Sequence, residues 1–130
     1  NKKISKEKII NMQLKKTGKL FSFCCEASAI IKNKKTKERD FLRQIGLEIG
    51  LLFQIADDLI DCMGDAKIVG KPTKSDKSKG KATLVNLLGY EETLNFAKKL
   101  QKKINTKIKK YGYNSKDLLQ SIKFILERKF

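Results

Sequence analysis

Histidine is absent from the 130 residues, proline occurs once, at Pro72, and cysteine three times, at Cys24, Cys25 and Cys62. Without histidine the chain has neither the commonest general base nor an imidazole metal ligand, so any chemistry rests on carboxylates, lysines, amides and hydroxyls. Three cysteines at these spacings cannot build a zinc site. Adjacent Cys24 and Cys25 suit apolar helix packing, and all three are expected as reduced core thiols. No secretory leader is evident and no apolar run approaches 18 residues, the longest, at 45–56, being interrupted by Glu48. These absences predict a cytoplasmic protein without a transmembrane segment. The chain opens on Asn1 rather than methionine, which predicts a piece of a longer protein.

Arginine is also scarce, limited to Arg39, Arg43 and Arg128, so the net charge of +16 is carried almost wholly by lysine. Those lysines spread along polar helix faces without the interleaved aromatics of single-strand binders, so a solvated surface is expected and nucleic acid is not.

What is present is helical periodicity. Apolar residues recur at spacings of three and four almost throughout, which predicts an all-α fold in a single helical region over residues 1–130. A first helical stretch is expected at 5–32, interrupted at Thr17 and Gly18, and a polar link at 33–37 follows. The second stretch, 36–63, is apolar nearly all round from Ile45 and is expected to be the central helix. Residues 64–80 hold Gly70, Pro72, Asp76 and five lysines with little apolar content, and read as a binding loop. Helices are expected again at 82–88, 91–110 and 115–128, with a turn at 111–114. Phe21, Phe23, Phe41, Phe53 and Phe96 are expected in the core.

Between Ile49 and Gly64 the only charged residues are Asp57, Asp58 and Asp61. On a helix they fall within an arc of about 100°, and Gln54 shares their stripe. Carboxylates gathered on an otherwise apolar helix repel one another and resist burial unless a cation sits among them. Oxygen-only ligands favour a hard cation, Mg²⁺ above all. The neighbouring lysine-rich segment then makes sense if a diphosphate bridges the two.

Phe53-Gln54-Ile55-Ala56-Asp57-Asp58-Leu59-Ile60-Asp61, followed by Gly64-Asp65, resembles the second aspartate-rich motif of the trans-type polyprenyl diphosphate synthases, the farnesyl and geranylgeranyl diphosphate synthase family. Lys16-Thr17-Gly18, Gly70-Lys71-Pro72 and Gly80-Lys81-Ala82-Thr83, leading to Leu87-Leu88-Gly89, occur in family order and spacing. The resemblance implies the C-terminal half of an isoprenoid synthase fold, acting on an allylic diphosphate and isopentenyl diphosphate with Mg²⁺. It assigns direct metal ligation to Asp57 and ligation through water to Asp58 and Asp61. It aims the Gln54 amide at the allylic substrate and gives its diphosphate to Lys16, Lys71 and Lys81. Carbonyls released at a Thr17–Gly18 helix break would suit a carbocation.

The resemblance also has gaps. No first aspartate-rich motif stands upstream of Lys16, so a complementing N-terminal half is expected and the chain alone is expected to be inactive; the resemblance also implies a homodimer, common in the family. Leu84-Val85 stands where the family usually has Tyr-Pro. The rival readings are a non-catalytic synthase-like subunit, which the intact carboxylates oppose, and a basic nucleic-acid module, which leaves the aspartate stripe unexplained.

Overall fold

The computed structural model describes residues 4–69 and 82–128, with side chains described at 4–64 and 82–128. Helix α1 spans Lys6–Gln13; the side chain of Ser5 caps it by accepting from the Lys8 N–H at 3.3 Å. A π-helical turn, Leu14–Gly18, runs straight into α2, Lys19–Ile31. Asn33, at φ 49°, takes the left-handed conformation that short polar side chains tolerate, and the Lys34 N–H closes the helix end by donating to the Ala29 carbonyl at 2.9 Å.

Helix α3, Thr36–Val69, follows, about 50 Å long at 1.5 Å per residue. A short α4, Leu84–Leu88, leads through Gly89 to α5, Tyr90–Ile108. A 3₁₀ segment, Lys109–Ser115, then turns the chain into α6, Lys116–Glu127.

The core lies along α3. Ile45, Ile49, Leu52, Ile55, Ala56 and Leu59 are buried on it. They meet Ile9 of α1, Leu84 of α4, Ile104 and Ile108 of α5, and Ile122 of α6. The predicted central helix and all-α class are thus what the chain forms. On α5 the buried positions Thr93, Ala97, Leu100, Ile104 and Ile108 follow the spacing that lays one stripe against a neighbour.

Two glycines set how closely α3 meets the preceding helical run. A Cβ on Gly46 would fall 2.4 Å from the Phe21 carbonyl oxygen, and one on Gly50 would fall 2.6 Å from the Gly18 Cα. Only bare backbone fits at these two crossings.

Three expectations are corrected. Helix α3 continues to Val69, so 64–69 is helical and not loop. Nothing lies within 4 Å of a Cβ on Gly64, and a single glycine in an open helix position costs too little to stop it. The remainder of the expected binding loop lies outside the described residues. Cys24 and Cys62 are exposed free thiols and only Cys25 is half-buried, because the first two occupy outward faces of α2 and α3. Phe23 is 66% exposed on that same outward face of α2, beside Leu20 and Cys24, while Phe21, Phe41, Phe53 and Phe96 pack against the core.

Candidate active site

The three aspartates share one helix but not one environment. Asp57 turns toward the C-terminal end of α6, where the Arg128 guanidinium pairs with its Oδ1. The same guanidinium donates to the Phe53 carbonyl at 3.3 Å and lies 4.3 Å from the centre of the Phe53 ring. Asp58 turns the other way, toward α1. Its Oδ2 accepts from Gln13 Nε2 at 2.7 Å and its Oδ1 from Gln54 Nε2 at 3.4 Å. Asp61, one turn further on, is exposed.

Gln54 in turn connects Asp58 to the π turn. Its Oε1 accepts from the Thr17 hydroxyl at 3.0 Å, so Thr17, Gln54 and Asp58 form one relay across two helices. The predicted interruption at Thr17 and Gly18 therefore takes the form of a π turn, in which the Lys19 N–H reaches back to the Leu14 carbonyl. The wider turn, pressed against α3 at Gly18 and Gly50, brings Thr17 to Gln54.

Lys16 is exposed on the π turn, and its charge acts on Asp58. Burial pushes the Asp58 carboxyl up from its ordinary value; the Gln54 amide opposes this, Asp61 adds to it, Lys16 opposes it and Asp57 adds to it again. Lys71 and Lys81 lie outside the described residues. Among those described, no group of three His, Cys, Asp or Glu side chains is placed to hold a metal ion. The carboxylates form an open row.

Two residues that touch this row carry no motif. Gln13, 3% exposed, could have been noticed four residues before Thr17, on the same helix face. Arg128 is one of three arginines in a lysine-rich chain, and that rarity was its only signal. Beside Arg128, an apolar groove between α3, α5 and α6 is lined by Leu59, Ile60, Met63, Leu94 and Leu126. No helix among the described residues is long and apolar enough to cross a membrane.

Comparison with known proteins bears on the family and the fold. The polyprenyl synthetase family matches residues 1–122. The short chain isoprenyl diphosphate synthase of Methanocaldococcus jannaschii is 39% identical over 79 residues, which are 61% of this chain and 24% of that protein. The farnesyl diphosphate synthase of Bacillus subtilis is 34% identical over 91 residues, 70% of this chain and 31% of that one. The geranylgeranyl diphosphate synthase of Sulfolobus acidocaldarius is 30% identical over 125 residues, 96% of this chain and 37% of that one.

Among solved structures, the geranyltransferase of Helicobacter pylori complexed with magnesium and isoprenyl diphosphate superposes with a TM-score of 0.72 at 29% identity, over 98% of this chain and 42% of that one. This chain thus spans less than half the length of each of these relatives. With the match extending from the first residue into α6, and with the helical architecture shared, the chain belongs to the polyprenyl synthetase family.

Proposed function

We propose that this chain is part of a prenyltransferase that condenses isopentenyl diphosphate with an allylic diphosphate, and that it contributes the second aspartate-rich diphosphate site. The observation that carries the reading is the relay from Thr17 through Gln54 to Asp58, set beside Asp57 and Asp61 on one helix. In this reading residues 1–130 are the C-terminal part of a cytoplasmic synthase domain. The remaining groups come from a complementary N-terminal half.

The donor set fits Mg²⁺. It is all oxygen, and it sets Asp57, Asp58 and Asp61 on one helix with Lys16 acting on Asp58 as an opposing charge. An open row suits an ion that takes one or two protein carboxylates and completes its shell with phosphate oxygens and water. Asp57, Asp58 and Asp61 would hold it, and when bound it neutralises charge on the departing diphosphate. Lys16, with Lys71 and Lys81, binds diphosphate oxygens as compact charges. The Gln54 amide and Thr17 hydroxyl, already linked, present fixed dipoles to the allylic carbon from which diphosphate departs. Attack by the double bond of isopentenyl diphosphate and loss of a proton complete the reaction.

The test is incubation with isopentenyl diphosphate and radiolabelled geranyl diphosphate, with Mg²⁺ or EDTA, the chain alone and with an N-terminal half from a relative. Extractable product that requires Mg²⁺ and both halves is the expected result. A folded pair that makes no product and binds no allylic diphosphate replaces this reading with that of a non-catalytic subunit.

A further inference from the structure

Gln13 is the last residue of α1 and 3% exposed, in a place where core packing calls for an apolar side chain. Its Nε2 donates to Asp58 at 2.7 Å, while its Oε1 is buried and has no hydrogen-bond partner among the described residues. An amide oxygen buried unpaired is destabilising, because it gives up its hydrogen bonds to water and gains none. Turning the amide over would only set that oxygen against the carboxylate, so Asp58, and not the pocket around Gln13, dictates the orientation. Methionine would fill the same volume without this penalty. The orphaned oxygen therefore accompanies a donor that Asp58 requires.

The consequence falls on Asp58. Gln13 takes one carboxylate oxygen and Gln54 the other, from two different helices. Both donors are neutral, so they fix the carboxylate's direction without cancelling its charge. Asp58 is thereby held on the α1 side, away from the Arg128 that pairs with Asp57. A carboxylate held in this way meets a metal-bound water without first losing rotational freedom.

We infer that Gln13 is a positioning residue of the metal–diphosphate site, aiming Asp58 through its side-chain amide. The inference rests on the reading of Asp57, Asp58 and Asp61 as that site. It makes stability and ion binding respond in opposite senses to one substitution. Gln13→Met removes both the donor and the orphaned oxygen, so it leaves the melting temperature unchanged or higher, yet it weakens uptake of the ion by roughly tenfold, the usual scale for loss of an orienting partner.

The experiment measures Mn²⁺ uptake by electron paramagnetic resonance in the presence of inorganic diphosphate. It compares wild type, Gln13→Met, Asp58→Asn and the double variant. Gln13→Met is expected to weaken uptake in the wild-type background and to have no further effect once Asp58 is Asn. A merely structural role would weaken both backgrounds alike. Should Gln13→Met fail to fold, the side-chain amide resonance of Gln13 in the wild type decides: it shifts when Mg²⁺ and diphosphate are added, and a resonance that stays in place overturns the inference. Uptake by Gln13→Met equal to wild type overturns it as well. A wild type that takes up no ion with diphosphate refutes the reading of the carboxylates, and the role of Gln13 falls with it.

Discussion

Gly50 of α3 faces Gly18 of the π turn so closely that a Cβ on Gly50 would fall 2.6 Å from the Gly18 Cα and 3.1 Å from its backbone nitrogen. This crossing seats Thr17 beside Gln54. Gly50→Ala must push backbone away from backbone, and overpacking of this kind costs about 1–3 kcal/mol. Gly64→Ala is the control: its Cβ meets open space in the same helix, and it should gain about 0.5–1 kcal/mol. Urea unfolding of both variants is expected to give opposite signs. Equal behaviour would mean that the crossing is looser than described.

Glu38 accepts from the Tyr111 hydroxyl and pairs with Lys110 at 3.3 Å. The tyrosine hydrogen bond, ahead of the lysine, holds its carboxyl below the ordinary value, and the Tyr111 hydroxyl is raised in turn by burial and then by Glu38. A depressed folded pKa adds stability above the unfolded value and loses it as pH falls through the folded one. Glu38→Gln should therefore be less stable than wild type near neutrality, and the difference should shrink steadily below about pH 4.3. Thermal melts across pH 2.5–7, within about that carboxylate window, measure it. A difference that persists unchanged at the acid end contradicts the assignment.

Glu48 is 7% exposed and receives Lys107 at 2.7 Å and Lys103 at 2.9 Å, tying α3 to α5. Removing the lysines leaves a buried charge unpaired, whereas removing the glutamate does not. The double variant Lys103→Met, Lys107→Met should lose about 2–3 kcal/mol, toward the low end for a broken buried pair because both lysines are partly exposed. Glu48→Leu should cost less. The opposite order would place the charge in solvent.

Arg128 already occupies Asp57 Oδ1, and a metal ion must displace it to take that oxygen directly. Arg128→Gln should lower stability without metal by about 1 kcal/mol, the upper end for a partly exposed ion pair. The same energy, returned on binding, should raise Mg²⁺ affinity in the presence of inorganic diphosphate about fivefold. Calorimetric titration of both proteins checks it, and weaker binding by the variant would assign Arg128 to holding diphosphate instead.

Much of the architecture was legible from spacing alone, because a buried central helix leaves an apolar pattern on nearly every face, as 45–59 does. Helix ends were less legible. Low apolar content marks 64–80 as loop, yet α3 runs on to Val69, because one unhindered glycine costs a 34-residue helix little. Exposed Phe23, Cys24 and Cys62 also depart from expectation, since periodicity marks a stripe as apolar without saying what packs on it.

The sequence by itself determined the helical class, the row of Asp57, Asp58 and Asp61 on one helix, the interruption at Thr17 and Gly18, and the order of motifs that places the chain in its family. These depend on local spacing, which backbone geometry converts into faces. Only the tertiary structure decided that Asp57 turns to Arg128 and Asp58 to Gln13 and Gln54, and that the interruption is a π turn with Thr17 aimed at Gln54. The cross-helix pairings join residues 37 to 71 positions apart. They depend on how closely two helices approach at Gly18 and Gly50 and on where α6 brings the chain back, which no local pattern encodes.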